Sequence, residues 1–177
     1  MHLDRFLITS QQFYSDIDSN VSYAYDCGVS KIYLREFEIP RFYDLLTACQ
    51  KFNILLFVNY IDKYKEHILK YANGIHLKSR DFAIADFIPS EKLVSYSAHN
   101  LNDVDKAHNK GVDFIFLSPV FFVVGKGSPL GIEYFYNLPN KYKDKIYALG
   151  GINFDNISMF YDANIRGIAG IRMFLRV

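Results

Sequence analysis

The sequence predicts an α/β protein, a (β/α)8 TIM barrel forming a single domain over residues 1–177. Three observations carry this. Short apolar runs, eight in number, alternate with stretches of helical spacing along the whole chain. Each run is only a few residues long and mostly apolar, as strands buried on both faces of a parallel sheet require. A Gly or Asn recurs just ahead of several runs, where a helix would end and a strand begin. Regular strand–helix alternation without a change in composition marks a parallel α/β architecture, and eight repeats favour a closed barrel over an open doubly wound sheet.

Arg5–Thr9 is the first run. The join Cys27-Gly28-Val29 leads into Lys31–Arg35, the second. Ile39–Phe52 has apolar residues at helical spacing, with Pro40 in the first turn, where a missing N–H costs nothing. Ile54–Asn59 follows, then Asn73-Gly74 opens Gly74–Leu77, and Leu93–Ser97 is the fifth run. Lys110-Gly111-Val112 precedes Phe114–Leu117; Ile146–Leu149 runs into Gly150-Gly151; Asn164-Ile165-Arg166-Gly167 enters Gly167–Ile171. Gly and Asn at such joins tolerate the left-handed backbone that ends a helix. The sequence closes at Val177, soon after the eighth run, so the barrel is expected to be truncated, its final helix missing. The apolar surface left beside strands one and eight, or on helices one and seven, is expected to be covered in a homodimer.

Half of the residues are hydrophobic and 17% are aromatic, which excludes a disordered or fibrous chain. Twenty basic residues stand against nineteen acidic ones. That balance argues against nucleic acid or a membrane surface as partner. The N-terminal MHLDRFLITSQQ lacks the pattern of a signal peptide, and no apolar stretch approaches the ~20 residues that span a bilayer. Cys27 and Cys49 fall in helical segments without metal-ligand spacing and read as reduced thiols of a cytoplasmic protein.

In parallel α/β folds the ligand site lies at the C-terminal ends of the strands. That rule selects Arg35, Asn59, Asp81, Ser97, His99, Lys126, Gly150, Gly151 and the Gly167–Arg172 turn. Gly150 and Gly151, after strand seven, expose backbone N–H groups to a ligand oxygen and suit a phosphate. Lys126 lies between two glycines in the loop Phe121–Gly131, placed to clamp a second anionic group. Arg35 in a barrel mouth needs an anionic partner, either a ligand or Glu36 or Glu38. Ser97 and His99 alternate onto one face of a strand, as a nucleophile and base would, with no orienting acid in view. His76 reads as a packed, hydrogen-bonded histidine, and His2, His67 and His108 as surface residues.

Taken in order, YLRE (33–36), VN (58–59), GIHL with the following Asp81, SAHN (97–100), SPVF (118–121) with a following Lys, PLG (129–131), LGGI (149–152) and GIAGI (167–171) resemble thiamine phosphate synthase and its TenI-like relatives. The resemblance runs from about residue 5 to residue 172. It implies an enzyme of thiamine biosynthesis acting on small phosphorylated heterocycles. In such a synthase a hydroxymethylpyrimidine pyrophosphate sheds its pyrophosphate, helped by magnesium (Mg2+) and basic residues, and a thiazole phosphate nitrogen captures the carbon. By matching motif positions, Arg35 and Lys126 would hold the pyrophosphate, and Asn59 and Ser97 would flank the pyrimidine and the leaving group. Asp81 would help bind magnesium. Gly150 and Gly151, with the turn that carries Gly170 and Arg172, would cradle the thiazole phosphate. Tyr33 and His99 complete the substrate-binding set.

The chain departs from the family pattern at four places, one of them the turn after strand eight, where Arg172 or its neighbours stand in place of the usual Ser. Tyr33 and Phe37 replace a Gln and a Lys around Arg35, and Tyr60 replaces an Asp beside Asn59, with Asp62 the candidate to substitute as metal ligand. Pro119 stands where the tautomerase has a His. Synthase activity is the first expectation. A TenI-like thiazole tautomerase and a non-catalytic, regulatory binder of a heterocyclic phosphate are the alternatives.

Overall fold

The computed structural model describes residues 3–176; His2 and Val177 lie outside them. Eight parallel strands pair in chain order and close into a barrel, the first against the last. They are β1 Asp4–Ile8, β2 Val29–Leu34, β3 Leu55–Asn59, β4 Gly74–Leu77, β5 Leu93–Ala98, β6 Phe114–Leu117, β7 Ile146–Leu149 and β8 Gly167–Gly170. Each matches an expected run to within two residues at either end.

The outer ring is more irregular than the repeat implied. Helices α1 Ile17–Asp26, α2 Ile39–Lys51, α3 Lys65–Tyr71 and α4 Leu101–Asn109 follow β1, β2, β3 and β5, and two short helices, α5 Ile132–Tyr136 and α6 Asn140–Lys143, follow β6. After β4 and β7 the chain instead forms 3-10 turns, Ser79–Phe87 and Ile157–Phe160. The second has a local cause. The Asn153 Oδ1 accepts from the N–H groups of Asp155 and Asn156, and the Asn156 Oδ1 accepts from that of Asn153. These side chains compete with helical bonding. No helix among the described residues is long and apolar enough to cross a membrane.

After β8 the chain makes a single 3-10 turn, Arg172–Phe174, rather than a full helix. Yet the surface beside β1 and β8 is not bare. Met173, Phe174 and Leu175 are buried there, and the Arg176 N–H donates to Asn20 of α1.

The joins differ in mechanism. Gly28 and Gly111 sit at φ +76° and +82°, in the left-handed region, as expected. Gly74 does not. A Cβ there would lie 2.1 Å from the Phe57 ring, so the glycine makes room for an aromatic side chain inside the barrel. That interior is packed with rings: Phe6 meets Phe57 and Phe116 edge-on, at centroid distances of 5.0 and 4.8 Å.

The N-terminal end of the barrel is closed by charge. Lys31 Nζ lies 2.5 Å from Asp4 Oδ2, and the same carboxylate accepts from the Ser30 and Tyr147 hydroxyls, both at 2.6 Å. Burial alone would raise the Asp4 carboxyl, but the bonds from Lys31, Ser30 and Tyr147 hold it down at about 2. A depression of about 550 Å3 opens on this face, lined in part by Asp4, Lys143 and Arg166. In this architecture that face carries stability rather than chemistry.

Candidate active site

Strand alternation sends every second side chain to the barrel axis, so the C-terminal mouth is built in two tiers. The lower tier includes Tyr33, His76, Ser97 and Phe116; the upper includes Arg35, Lys78, His99 and Ser118. Together with Lys126 and Gly150 they line a cavity of about 350 Å3.

The lower tier is a flat, polar-edged floor. His76 stacks on Phe116, at 5.1 Å and 21°, and lies 4.2 Å from the Tyr33 ring. Its Nδ1 is 3.0 Å from the Ser95 hydroxyl and its Nε2 is 2.9 Å from the Ser97 hydroxyl. Burial, and secondarily the charge of Lys78, push His76 down to about 3, so the ring is neutral at physiological pH. The Tyr33 hydroxyl donates to Asn59 Oδ1 at 2.6 Å, and Asn59 Nδ2 donates to the Arg35 carbonyl at 3.0 Å. Burial holds the Tyr33 phenol well above its ordinary value, so it remains a donor.

The Ser97–His99 pair does not form. Ser97 is bonded across strands to His76, whereas His99 Nδ1 lies 2.9 Å from the Ser118 carbonyl. A carbonyl only accepts, so Nδ1 carries the hydrogen and, in the neutral ring, Nε2 is left as a base at the mouth.

Arg35 reaches the cavity and also pairs with Glu36 at 3.4 Å, which joins the two partners left open by its sequence context. Lys126 is exposed on its loop above the cavity. Gly150 and Gly151 have φ of +105° and +72°, and a Cβ on Gly151 would lie 2.7 Å from that of Phe121. The N–H groups of Gly151 and Ile152 donate to no protein acceptor among the described residues. Gly170 is buried against Met173, and Arg172 is exposed outside the cavity, which Ile171 lines instead.

The two expected metal ligands are not brought together at the mouth. The Asp62 side chain is 83% exposed and pairs with Lys65 at 3.7 Å, while Asp81 pairs with Arg80 at 3.6 Å. Neither lines the cavity, and among the described residues no group of three or more His, Cys, Asp or Glu forms a metal cluster. Magnesium seeks carboxylate oxygens beside the phosphates it bridges. The cavity presents cations and hydroxyls instead, and these do not fit the ion. Phe37, in place of the pattern's Lys, packs between Phe42 and Tyr64 at 5.4 Å from each ring, away from the cavity.

The family model for thiamine monophosphate synthase matches residues 6–174. The chain belongs to that family. It is 31% identical over 158 residues to the putative thiamine-phosphate synthase 2 of Aquifex aeolicus, covering 84% of each chain. It is 29% identical over 133 residues to the thiamine-phosphate synthase of Prochlorococcus marinus, of which it spans only 38%. Among solved structures, the thiamine phosphate pyrophosphorylase of Pyrococcus furiosus superposes with a TM-score of 0.79 at 23% identity, over 96% of this chain and 85% of that one, a likeness of fold. Family membership ties the chain to thiamine biosynthesis.

Of the polar residues lining the cavity, Lys78, Ser79 and Ser118 are not among the site residues selected from the sequence; strand alternation points to Lys78 and Ser118. The signal for both was alternation: Lys78 lies two positions past His76, and Ser118 two past Phe116. Both strands were read as ending one residue before them.

Proposed function

We propose that the protein is a thiamine phosphate synthase, joining a hydroxymethylpyrimidine pyrophosphate to a thiazole phosphate. The observation that carries this is a flat aromatic floor beneath a cationic rim in one cavity, with Gly150 of the Gly150-Gly151 turn at its edge. The floor of Tyr33, His76 and Phe116 accepts a planar ring. His76 acts as a positioning residue, fixing the Ser97 hydroxyl toward the leaving oxygen. Arg35 and Lys126 face the pyrophosphate, and the Gly151 and Ile152 N–H groups face the thiazole phosphate. In the reaction the carbon–oxygen bond of the pyrimidine methylene breaks and its electron pair departs with pyrophosphate. The thiazole nitrogen supplies the pair for the new carbon–nitrogen bond. Preorganised positive groups facing developing negative charge are the main source of rate in such a step. The free thiols Cys27 and Cys49 favour a reducing, cytoplasmic setting.

A direct assay for thiamine phosphate tests this reading. Product formation from the two half-substrates is expected; its absence at any enzyme concentration, with thiazole phosphate still bound, overturns it. The free Nε2 of His99 favours a second reading, proton transfer on a thiazole phosphate, in which the pyrimidine pyrophosphate would not bind.

A further inference from the structure

The cations of the cavity outnumber what its own acids can balance. Arg35, Lys78 and Lys126 line it, and no Asp or Glu does. Arg35 has Glu36 at 3.4 Å; Lys78 and Lys126 form no ion pair among the described residues. Lys78 is the informative one. It follows β4 immediately, and alternation aims it with Gly74 and His76 toward the barrel axis. It is half-buried and lines the cavity, and no carboxylate among the described residues pairs with it. A partly desolvated ammonium without a counter-ion is unfavourable, and at the rim of a cavity that cost is relieved by an anionic ligand. The closest carboxylates in sequence pair with other cations, Asp81 with Arg80 and Asp62 with Lys65, and neither lines the cavity.

We infer that Lys78 acts where a divalent cation would otherwise be needed: with Arg35 and Lys126 it binds the pyrophosphate group directly, and the site works without a metal. The inference rests on the synthase reading for the identity of the anion. In the coupling step the departing oxygen takes the electron pair of the broken carbon–oxygen bond, and the Lys78 ammonium donates hydrogen bonds to the pyrophosphate without giving up a proton. The chemistry therefore balances with no co-reactant.

Calorimetric titration of the full chain with inorganic pyrophosphate, in EDTA and again with excess magnesium, tests this. Binding in EDTA is expected. Lys78→Ala should weaken it about tenfold or more, and Lys78→Arg should retain most of it, because a charge-assisted bond to an anion is worth that much. Lys106→Ala, on the exposed side of α4, should bind like the natural protein. Pyrophosphate that binds only with magnesium overturns the inference, and so does a folded Lys78→Ala that binds as well as the natural chain in EDTA. The behaviour of the natural chain decides the question of metal need without any variant. Failure of the two readings is separable. Metal-free binding through Lys78 with no thiamine phosphate formed removes the coupling reaction and leaves the anion site. Product formed only when magnesium is present does the reverse.

Discussion

The Nε2 of His76 lies 2.9 Å from the Ser97 hydroxyl, a bond between β4 and β5 made inside the barrel. Its burial holds the imidazole at about 3, against an ordinary 6.5. Between these values the unfolded chain takes up a proton that the native ring excludes, so stability falls as the solution is acidified. This contribution is fully present above pH 6.5 and is lost as pH drops toward about 3. Denaturant unfolding at a series of pH values across that interval should show the slope. His76→Gln should lower stability at neutral pH and flatten the slope; an unchanged slope would place the acid loss in other groups.

Lys31→Met removes the cation that closes the opposite end of the barrel. It strands Asp4, whose remaining partners are the Arg5 N–H, two hydroxyls and Arg166, 3.5 Å away. Breaking one side of such a pair costs about 3 kcal/mol. The Asp4 carboxyl, held at about 2 against 3.8, stabilises the native state above that ordinary value and ceases to as pH falls through about 2. The variant should therefore lose both stability at neutral pH and part of the acid transition. Retained stability would mean that the pair is solvated.

Gly151→Leu should damage both fold and phosphate binding. Its φ of +72° strains any side chain, and a Cβ would press on Phe121. The strain is on the order of 1–2 kcal/mol, seen as a lower melting temperature. Affinity for thiazole phosphate, measured by calorimetry, should fall about tenfold as the backbone is shielded from the anion. Undiminished affinity would move the cradle away from Gly151.

Phe37→Lys should not return a cation to the cavity. The ring sits between Phe42 and Tyr64, so the change breaks an aromatic cluster and costs about 2 kcal/mol. Thermal unfolding measures the loss, and pyrophosphate titration should show no gain. A gain in affinity would mean that the loop after β2 rearranges around the new charge.

The strands were legible because each is buried on both faces, which leaves an apolar run that needs no partner to be seen. The left-handed turns at Gly28 and Gly111 were legible for a similar reason, being properties of the local backbone. Gly74 was misread, because its cause is the Phe57 ring on a neighbouring strand and no local pattern reports that. The turn at Ile157–Phe160 was missed because the Asn153 and Asn156 side chains divert the backbone from helix. At the site, Tyr33, Arg35, Ser97, His99, Lys126 and Gly150 all reach the cavity. Asp62 and Asp81 do not, since each is drawn to a neighbouring cation that motif matching ignores. Lys78 carried the right signal, its two-residue offset from His76, but lay one residue past the expected strand.

The bond from the Tyr147 hydroxyl to Asp4 joins positions 143 residues apart. The first strand must therefore wait, during folding, for nearly the whole chain before its carboxylate meets that partner. Contacts of such long range incur their loop-closure entropy before they return any stabilisation, and they slow the search for the native state. Closing the barrel is accordingly expected as a late kinetic event. Tyr147→Phe should speed unfolding far more than it slows refolding in stopped-flow measurements, the signature of an interaction absent from the transition state.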